Sequence, residues 1–254
     1  MNLSVNSIES FSTVDGPGIR TVVFLNSCNL RCKYCHNPEM QKMQPLNISV
    51  KKLSEKILRN KNYFGSTGGV TFSGGEPLLQ SDALLELCKI LKKENINIAL
   101  DTAGYTKNIN EEFLDYIDLI ILDIKHVTDD GFKFITGGNK EISEHFMKIL
   151  KEKNKKIIIR QVIIPGITAT KQYVDELKKY IDKMFIKENI IEIEFLPYHY
   201  LGKEKYEKLG ILYKLDVKEM DPTECQNLYK YFCLNIFYYP TDKPVKRFIG
   251  WIYV

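Results

Sequence analysis

The sequence predicts an α/β protein, a single-domain, partial (β/α)6 barrel of the TIM-like kind with a parallel sheet and outer helices. Short β-branched runs alternate about six times with longer amphipathic stretches, a pattern typical of parallel strands covered by helices. The chain has 254 residues, which is enough for one barrel domain. Chemically unusual residues follow the predicted strands, and α/β folds bind ligands at the carboxyl ends of parallel strands.

The strands are predicted from short runs rich in Val, Ile and Leu that end at polar or turn residues. The fifth run, for example, ends at Pro165-Gly166, a strong chain breaker. In order, the predicted strands span residues 21–25, 69–72, 96–100, 119–122, 157–164, 191–196 and 236–239.

The helices are predicted from apolar residues at helical spacing between these strands. Ser49 is expected to cap a helix that begins at Val50. The next helix, residues 82–94, places Cys88 on an apolar face, where a buried thiol is expected. Further helices are predicted around 113–117, over 144–153, around 174–181 and over 224–231. Because no long linker interrupts the series, we expect one domain over residues 1–254, with a tail, 240–254, of undecided role.

The composition argues against several classes of protein. Hydrophobic residues make up 44% and charged residues 27%, as in ordinary globular proteins. The net charge of +4, without a basic stripe interleaved with aromatic residues, predicts no nucleic-acid partner. No apolar run approaches the ~20 residues of a membrane span, and residues 1–10 lack a signal pattern. We therefore expect a cytoplasmic protein that does not bind membranes.

Three of the six cysteines crowd into one short segment, Cys28, Cys32 and Cys35, with the spacing C-x3-C-x2-C. Three thiolates in one loop leave one iron of a four-iron cluster without a protein thiolate, and an open iron can bind a cofactor. Zinc with His36 as a fourth ligand is an alternative, although His36 directly follows Cys35 and adjacent ligands fit a tetrahedral site poorly. A second alternative is an electron-transfer protein whose fourth thiolate comes from elsewhere in the chain, from Cys88 or Cys225. The sequence assigns no role to Cys233.

The cysteine motif after the first strand resembles the signature of the radical S-adenosylmethionine superfamily. Further segments resemble, in order, those of glycyl-radical activating enzymes, and within them the pyruvate formate-lyase branch. The most discriminating of these is Leu-Pro-Tyr-His followed by Gly-Lys and a further Lys. The segments are residues 13–20, 34–38, 73–77, 100–104, 122–125, 159–166 and 196–206. The resemblance covers residues 8–240, and Ser27 stands where the family usually has Gly.

The resemblance implies a set of site residues. The three motif cysteines would hold a [4Fe–4S] cluster, and Asp101, Thr102 and Asp123 would bind a monovalent cation, Na⁺ or K⁺. Arg160, inside an apolar strand, needs a partner, either the cofactor's carboxylate or a core acid. The residues expected to bind S-adenosylmethionine are Tyr34, His36, Gly74, Gly75, Glu76, Asp123, Ile124, Lys125, Arg160 and His199.

The resemblance also implies a reaction. Reductive cleavage of S-adenosylmethionine at the cluster would give a 5′-deoxyadenosyl radical, and that radical would take a hydrogen atom from a glycine of pyruvate formate-lyase. A flavodoxin or a ferredoxin would supply the electron. Two alternatives remain: the activation of another glycyl-radical enzyme, and radical chemistry on a small molecule.

Overall fold

The computed structural model describes residues 1–42 and 44–234, and its contacts divide the chain into two compact units. The first comprises Met1–Leu30 and Glu39–Leu122, and the second comprises Arg31–Pro38 and the described residues from Asp123 onward. The cysteine motif therefore contributes Cys28 to one unit and Cys32 and Cys35 to the other. The expectation of a single domain stays a prediction.

The first unit contains a largely parallel sheet. Its strands follow one another in the order β2-β3-β5-β6-β7, where β2 is antiparallel to β3 and the other pairs are parallel. The short strands β1 and β4 form a separate antiparallel pair. The strands are β1 (Asn2–Leu3), β2 (Val5–Ser12), β3 (Arg20–Leu25), β4 (Ile48–Ser49), β5 (Gly69–Gly74), β6 (Asn97–Thr102) and β7 (Leu119–Asp123).

Helices connect these parallel strands. They are α1 (Val50–Leu58), α2 (Ser81–Lys93) and α3 (Glu111–Asp115). As the sequence predicts, Ser49 caps α1, because its side chain accepts a hydrogen bond from the backbone N–H of Lys52. Leu53 and Ile57 of α1 and Leu84 and Leu91 of α2 are fully buried. The apolar faces of α1 and α2 thus form part of the core of the first unit.

Arg20, the first residue of β3, is fully buried. Its guanidinium donates to Thr71 Oγ1 at 2.7 Å, to the Val70 carbonyl at 2.8 Å and to Asn97 Oδ1 at 3.0 Å. It also donates to the carbonyls of Pro17 and Thr67. Burial lowers the pKa of Arg20 to about 10, while Asp118 and Asp15 oppose this shift. Arg20 therefore stays charged at neutral pH and ties the Gly-Pro-Gly turn to β5 and β6.

The second unit contains two parallel strands and five helices within its described residues. The strands β8 (Ile157–Ile163) and β9 (Ile190–Pro197) are paired in parallel. The pairing begins with Ile157 opposite Ile190 and ends with Ile163 opposite Pro197, with one register shift near the start. The side chains of Thr128, Asn139 and Thr170 cap α4, α5 and α6. The helices are α4 (Asp129–Thr136), α5 (Lys140–Glu152), α6 (Lys171–Met184), α7 (Lys203–Lys208) and α8 (Pro222–Leu234).

Most predicted elements are present, with ends shifted by a few residues. The sequence reasoning missed the strands β1, β2 and β4 and the helices α4 and α7. The predicted strand 236–239 and the tail 240–254 lie outside the described residues. Within the described part of the chain, no helix has the length and apolar character needed to cross a membrane. The cytoplasmic location stays a prediction.

Candidate active site

The loop after β5 lies against the start of the cysteine motif in the first unit. The backbone N–H of Gly75 donates to the Leu25 carbonyl at 2.8 Å, and that of Glu76 donates to the Ser27 carbonyl at 2.7 Å. A Cβ on Gly75 would lie 2.1 Å from the Ser27 carbonyl oxygen, and one on Gly74 would lie 2.4 Å from the Leu25 nitrogen. The two glycines are therefore required by this close backbone contact.

The residue before the first cysteine has an unusual backbone conformation. Ser27 has a φ of 78°, in the left-handed region that favours glycine. The backbone N–H of Cys28 donates to the Gln41 carbonyl at 3.3 Å. Ser27 therefore keeps the backbone conformation that a glycine would adopt more easily at this turn.

Glu76 is buried and connects the β5 loop to the end of β6. Its carboxylate accepts hydrogen bonds from Thr102 Oγ1 at 2.5 Å and from the backbone N–H groups of Leu78, Ala103 and Tyr105 at 3.2–3.3 Å. Burial raises the pKa of Glu76, and these four donors oppose the shift. The carboxylate of Glu76 thus accepts hydrogen bonds from the loops of the protein itself and holds them together.

The two predicted cation ligands of β6, Asp101 and Thr102, also have partners within the first unit. Asp101 Oδ2 accepts from the Ser73 hydroxyl at 3.0 Å. The Thr102 hydroxyl accepts from the Gly104 N–H at 2.8 Å while it donates to Glu76. Asp101 and Thr102 are therefore held rigidly at the carboxyl end of β6.

In the second unit, α4 fixes the middle of the cysteine motif. The backbone N–H groups of Arg31 and Lys33 donate to the carbonyls of Thr136 and Ile135, both at 2.9 Å. Lys33 Nζ also lies 3.3 Å from the centroid of the Phe134 ring, a cation–π contact. Cys32 lies between these two anchors, so its backbone position is set by the C-terminal turn of α4.

All three motif cysteines have intermediate exposure, and the backbone N–H of Cys35 donates to the Cys32 carbonyl at 3.1 Å. Taken by itself, neither unit forms a group of three or more His, Cys, Asp or Glu side chains that could hold a metal ion among its described residues. The assignment of the cysteines as cluster ligands therefore stays a prediction. The donor set itself fits a cluster, since thiolates are its ordinary protein ligands.

The remaining cysteines differ from the motif cysteines in burial. Cys88, Cys225 and Cys233 are buried, and burial raises the pKa of Cys225 to about 12. Such thiols resist the deprotonation that metal binding requires. The burial of Cys88 and Cys225 therefore favours a role in core packing over metal ligation. For Cys88 this agrees with the apolar helix face on which the sequence places it.

Tyr34, Asp123 and Lys125 lie together in the second unit. Lys125 Nζ donates to Asp123 Oδ2 at 2.7 Å and lies 5.7 Å from the centroid of the Tyr34 ring. Burial opposes the charge of Lys125, yet Asp123 and other groups hold its pKa well above the usual value. Burial also raises the pKa of Tyr34. The site therefore presents an ammonium–carboxylate pair beside a neutral phenol.

Two distant segments meet at His36. The His36 ring stacks on the His199 ring, and His36 Nε2 lies 3.1 Å from the His199 carbonyl oxygen. A Cβ on Gly202 would lie 2.9 Å from His36 Cα. Lys205 Nζ donates to Asn37 Oδ1 at 2.7 Å. The Leu-Pro-Tyr-His…Gly-Lys…Lys segment thus packs against the residues that follow the last cysteine of the motif.

Arg160 has the core acid that the sequence reasoning kept as an alternative. Its Nε donates to Glu194 Oε2 at 2.7 Å, and both side chains are buried. Strands β8 and β9 place these residues opposite each other. The Arg160 carbonyl also accepts from the Ile124 N–H at 2.9 Å, which fixes the turn between Asp123 and Lys125.

Sequence reasoning missed several residues that shape this region. Glu194 alternates with apolar residues of β9, a pattern that predicts a solvent-facing acid and so hid its burial, while the carbonyls of Ile135 and Thr136 gave no signal in the sequence. One observation fits a bound small molecule in the second unit: the buried Tyr34 hydroxyl has no hydrogen-bond partner among the described residues. Buried polar groups normally have one.

Comparisons with known proteins show which family this chain resembles. Residues 14–140 match the family model described as a 4Fe-4S single cluster domain. A pyruvate formate-lyase-activating enzyme from Clostridium pasteurianum is 47% identical over 89% of this chain and 95% of its own length. One from Streptococcus mutans is 37% identical over 89% of each chain.

Solved structures with low sequence identity share the fold. SuiB from Streptococcus suis, bound to its precursor peptide SuiA, has a TM-score of 0.62 at 17% identity; the match covers 84% of this chain but only 44% of SuiB. A radical SAM methyltransferase from Sphaerobacter thermophilus has a TM-score of 0.59 at 14% identity, and the match covers 85% of this chain and 64% of that one. A domain of a Bacteroides vulgatus pyruvate-formate lyase-activating enzyme has a TM-score of 0.52 at 21% identity. This match covers 65% of this chain and 93% of that domain.

These findings confirm the predicted α/β fold class with a largely parallel sheet and outer helices. They also confirm the prediction of an enzyme with a [4Fe–4S] cluster and S-adenosylmethionine as cofactors. With 47% and 37% identity to two of its members over about nine-tenths of its length, this chain belongs to the family of pyruvate formate-lyase-activating enzymes.

Proposed function

We propose that this chain activates a pyruvate formate-lyase by generating a glycyl radical on it. The observation that carries the proposal is the junction of His36 and Asn37 with His199, Gly202 and Lys205. The segment most particular to the pyruvate formate-lyase branch is thereby attached to the loop that bears the cysteines. The names of the relatives support the same substrate.

We propose that Cys28, Cys32 and Cys35 hold three irons of the cluster. Their intermediate exposure and the fixed backbone around Cys32 suit metal ligation better than the buried Cys88 does. When bound, the cluster and S-adenosylmethionine supply the one-electron chemistry that removes a hydrogen atom from the partner's glycine. The protein's own task is to bind, orient and exclude water.

The residues predicted to bind S-adenosylmethionine divide into three groups. Glu76 and Arg160 act as positioning residues, because their charged groups already bond to Thr102 and Glu194. Gly74 and Gly75 bring the β5 loop onto the backbone near Ser27. The direct contacts are assigned to Tyr34, His36, Asp123, Ile124, Lys125 and His199. These all lie in the second unit.

The monovalent cation site remains part of the proposal. Asp101 and Thr102 are the last two residues of β6, Asp123 is the last residue of β7, and all three carry the hard oxygen atoms that Na⁺ or K⁺ prefers. Measuring S-adenosylmethionine affinity in sodium, potassium and tetramethylammonium salts tests this assignment. Equal affinity in all three salts would contradict it.

The function is tested by an anaerobic assay. The reconstituted protein is mixed with pyruvate formate-lyase, S-adenosylmethionine and dithionite, and a glycyl radical is sought by electron paramagnetic resonance. We expect the radical on pyruvate formate-lyase. A radical formed only on another glycyl-radical enzyme, or cleavage of S-adenosylmethionine without any protein radical, would favour the alternative substrates.

The cluster ligands are tested by replacing each motif cysteine with Ala, with Cys88→Ala as the matched control. Each of Cys28→Ala, Cys32→Ala and Cys35→Ala should lose the iron content and visible absorbance of a four-iron cluster. The control should keep both, since Cys88 is buried in α2. A complete cluster in a motif variant would refute the assignment for that residue.

We propose that the electron donor is an acidic flavodoxin or ferredoxin. The residues on either side of Cys32 are basic, Arg31 and Lys33, and Lys133 and the exposed Phe134 lie on the α4 turn to which this loop is bonded. Consecutive Cα atoms are only ~3.8 Å apart. A donor attracted to these charges would therefore lie within a few residues of a cluster ligand, and opposite charges would speed the encounter.

The proposed docking surface for the electron donor is tested with two reductants, the acidic donor protein and dithionite. In the double variant Lys33→Glu/Lys133→Glu, reduction by the acidic donor at low salt should slow about tenfold or more, whereas cleavage driven by dithionite should stay within about twofold. Lys148→Glu/Lys179→Glu, on α5 and α6, is the control. Equal donor-driven rates in the two double variants would contradict this docking surface.

A further inference from the structure

The side-chain amide of Gln80 makes three buried hydrogen bonds in the first unit. Gln80 ends the 3₁₀ turn Pro77–Gln80, directly before α2, and is 8% exposed. Its Oε1 accepts from the Ser4 N–H at 2.8 Å, and its Nε2 donates to the carbonyls of Ser4 at 3.1 Å and Asn26 at 2.9 Å. Both ends of the amide are thereby used, which determines its orientation.

The bond to Asn26 belongs to a series of contacts with the chain before Cys28. The three carbonyls that precede this cysteine all accept hydrogen bonds from residues 75–80. The donors are the Gly75 N–H to Leu25 at 2.8 Å, Gln80 Nε2 to Asn26 at 2.9 Å and the Glu76 N–H to Ser27 at 2.7 Å. The middle carbonyl is therefore held by a side chain, which a substitution can remove, while the other two are held by the backbone.

These contacts explain how Ser27 keeps its left-handed conformation. The Asn26 carbonyl lies in the peptide plane on one side of the Ser27 Cα, and the Ser27 carbonyl lies in the plane on the other side. Because φ and ψ are the rotations of these two planes about the Cα, holding both carbonyls determines both angles. A φ of 78° costs free energy for a serine, and such a conformation persists only where its surroundings fix it.

From this geometry we infer that Gln80 is a positioning residue for the cluster. By holding the Asn26 carbonyl, its amide enforces the turn at Ser27 and thereby sets the backbone orientation of Cys28. The inference rests on the proposed function, because it requires that Cys28 is a cluster ligand. Cys32 and Cys35 belong to the second unit, so the amide of Gln80 is expected to act on one of the three thiols.

This selectivity is tested with Gln80→Met, which keeps a side chain of similar length but releases the Asn26 carbonyl. In the full chain prepared without iron, Cys28 should react with iodoacetamide about 3- to 10-fold faster, the factor expected when one hydrogen bond no longer closes a loop. Cys32 and Cys35 should keep their wild-type rates. Mass spectrometry of the digested protein measures the three rates in one sample. In the cluster-loaded chain, iron release to a chelator should accelerate by a similar factor.

Two further variants make the test specific. Asn47→Leu is the matched control, because the Asn47 amide brackets Val5 in the same way, donating to its carbonyl at 2.6 Å and accepting from its N–H at 3.0 Å. This control should unfold at a lower temperature but leave the rate of Cys28 unchanged. Glycine adopts a positive φ without strain, so in a Ser27→Gly background Gln80→Met should change the rate of Cys28 by less than about twofold.

Each outcome decides the inference. Equal acceleration of all three cysteines in Gln80→Met, an unchanged rate of Cys28, or an effect as large in the Ser27→Gly background would overturn it. Gln80→Asn, whose amide is too short to reach both partners, takes the place of Gln80→Met if that variant does not fold. The alkylation rates do not require a cluster, so these results leave the proposed function intact. A wild-type chain that assembled no four-iron cluster would overturn both.

Discussion

The imidazole rings of His36 and His199 stack with centroids 4.2 Å apart and planes inclined by only 15°. The two residues are 163 positions apart in the chain, and each belongs to a different motif. Burial, followed by the influence of His199, lowers the pKa of His36 to about 4. Burial also lowers the pKa of His199. Both rings are therefore neutral at physiological pH, which suits a close stack.

This stack predicts a pH dependence of stability. An unfolded His36 takes up a proton near pH 6.5, whereas the native pKa of His36 is about 4. Between these values the unfolded chain binds more protons, so the free energy of unfolding should fall as the pH falls from 6.5 to 4. Because His36 is partly exposed, we expect a contribution of about 1–2 kcal/mol.

Urea unfolding of the full chain at pH 7 and pH 5 measures this effect. His36→Gln should flatten the pH dependence, and His145→Gln, at an exposed position of α5, should leave it unchanged. Equal slopes for the wild type and His36→Gln would contradict the prediction.

Glu76→Gln should destabilise the first unit. The variant places an NH2 group where four donors now point at a carboxylate, so at least one buried donor loses its partner. The expected loss in the free energy of unfolding is about 2–3 kcal/mol. Glu86→Gln, on the exposed face of α2, should cost less than about 0.5 kcal/mol. Chemical denaturation measures both, and a loss for Glu76→Gln no larger than the control's would disprove the role of this carboxylate.

Gly131→Ala should destabilise the chain, against the usual preference of a helix for Ala. Ala in a helix is normally favoured by about 0.5–1 kcal/mol. Here, however, a Cβ on Gly131 would lie 2.0 Å from the buried His126 ring. His126 Nδ1 in turn accepts from the Thr128 N–H at 3.1 Å, which holds the ring in place.

A double-mutant cycle tests this explanation. In a His126→Ala background the steric conflict is absent, so Gly131→Ala should become neutral or stabilising. The sign of its effect on the melting temperature therefore changes between the two backgrounds. Destabilisation of equal size in both would place its cause elsewhere.

Arg20→Lys should be strongly destabilising although it keeps the charge. The ammonium of Lys cannot reproduce a planar guanidinium that serves Thr71, Val70 and Asn97 at once. We expect a loss of about 3 kcal/mol, measured by urea unfolding. Arg59→Lys, at the exposed C-terminal end of α1, is the control and should change stability by less than about 0.5 kcal/mol. Similar effects of the two substitutions would rule out this account.

The sequence predicted the strands that carry the site because their signals are local. Ile157 to Ile163 is an apolar run interrupted only by Arg160 and Gln161, and Ser49 before Val50 is a typical helix start. Strand β2 was missed because Val5–Ser12 is mostly polar and half exposed, as befits a strand on the edge of the sheet. Helix α4 was missed because Asp129, Asp130 and Gly131 are weak helix formers, and only the Thr128 cap marked its start.

The candidate site could be predicted only where a motif pointed to it. Motif order identified His36, Glu76 and His199, but it could not show that Glu76 binds Thr102 or that Arg160 binds Glu194. Such partners depend on strand register, which is a property of the whole sheet. The unpartnered hydroxyl of Tyr34 was also beyond the sequence, because it is defined by what surrounds it.

The hydrogen bonds of Arg20 also limit how early the first unit can form during synthesis. They reach Asn97, which leaves the ribosome 77 residues after Arg20. At about 5–20 residues per second, this delay is roughly 4–15 seconds. Until then the guanidinium lacks its partner on β6, although its partners Pro17, Thr67, Val70 and Thr71 have already been made, so the link between β3 and β6 cannot form. A chain released before Asn97 emerges would therefore expose the apolar side chains of β3 to aggregation.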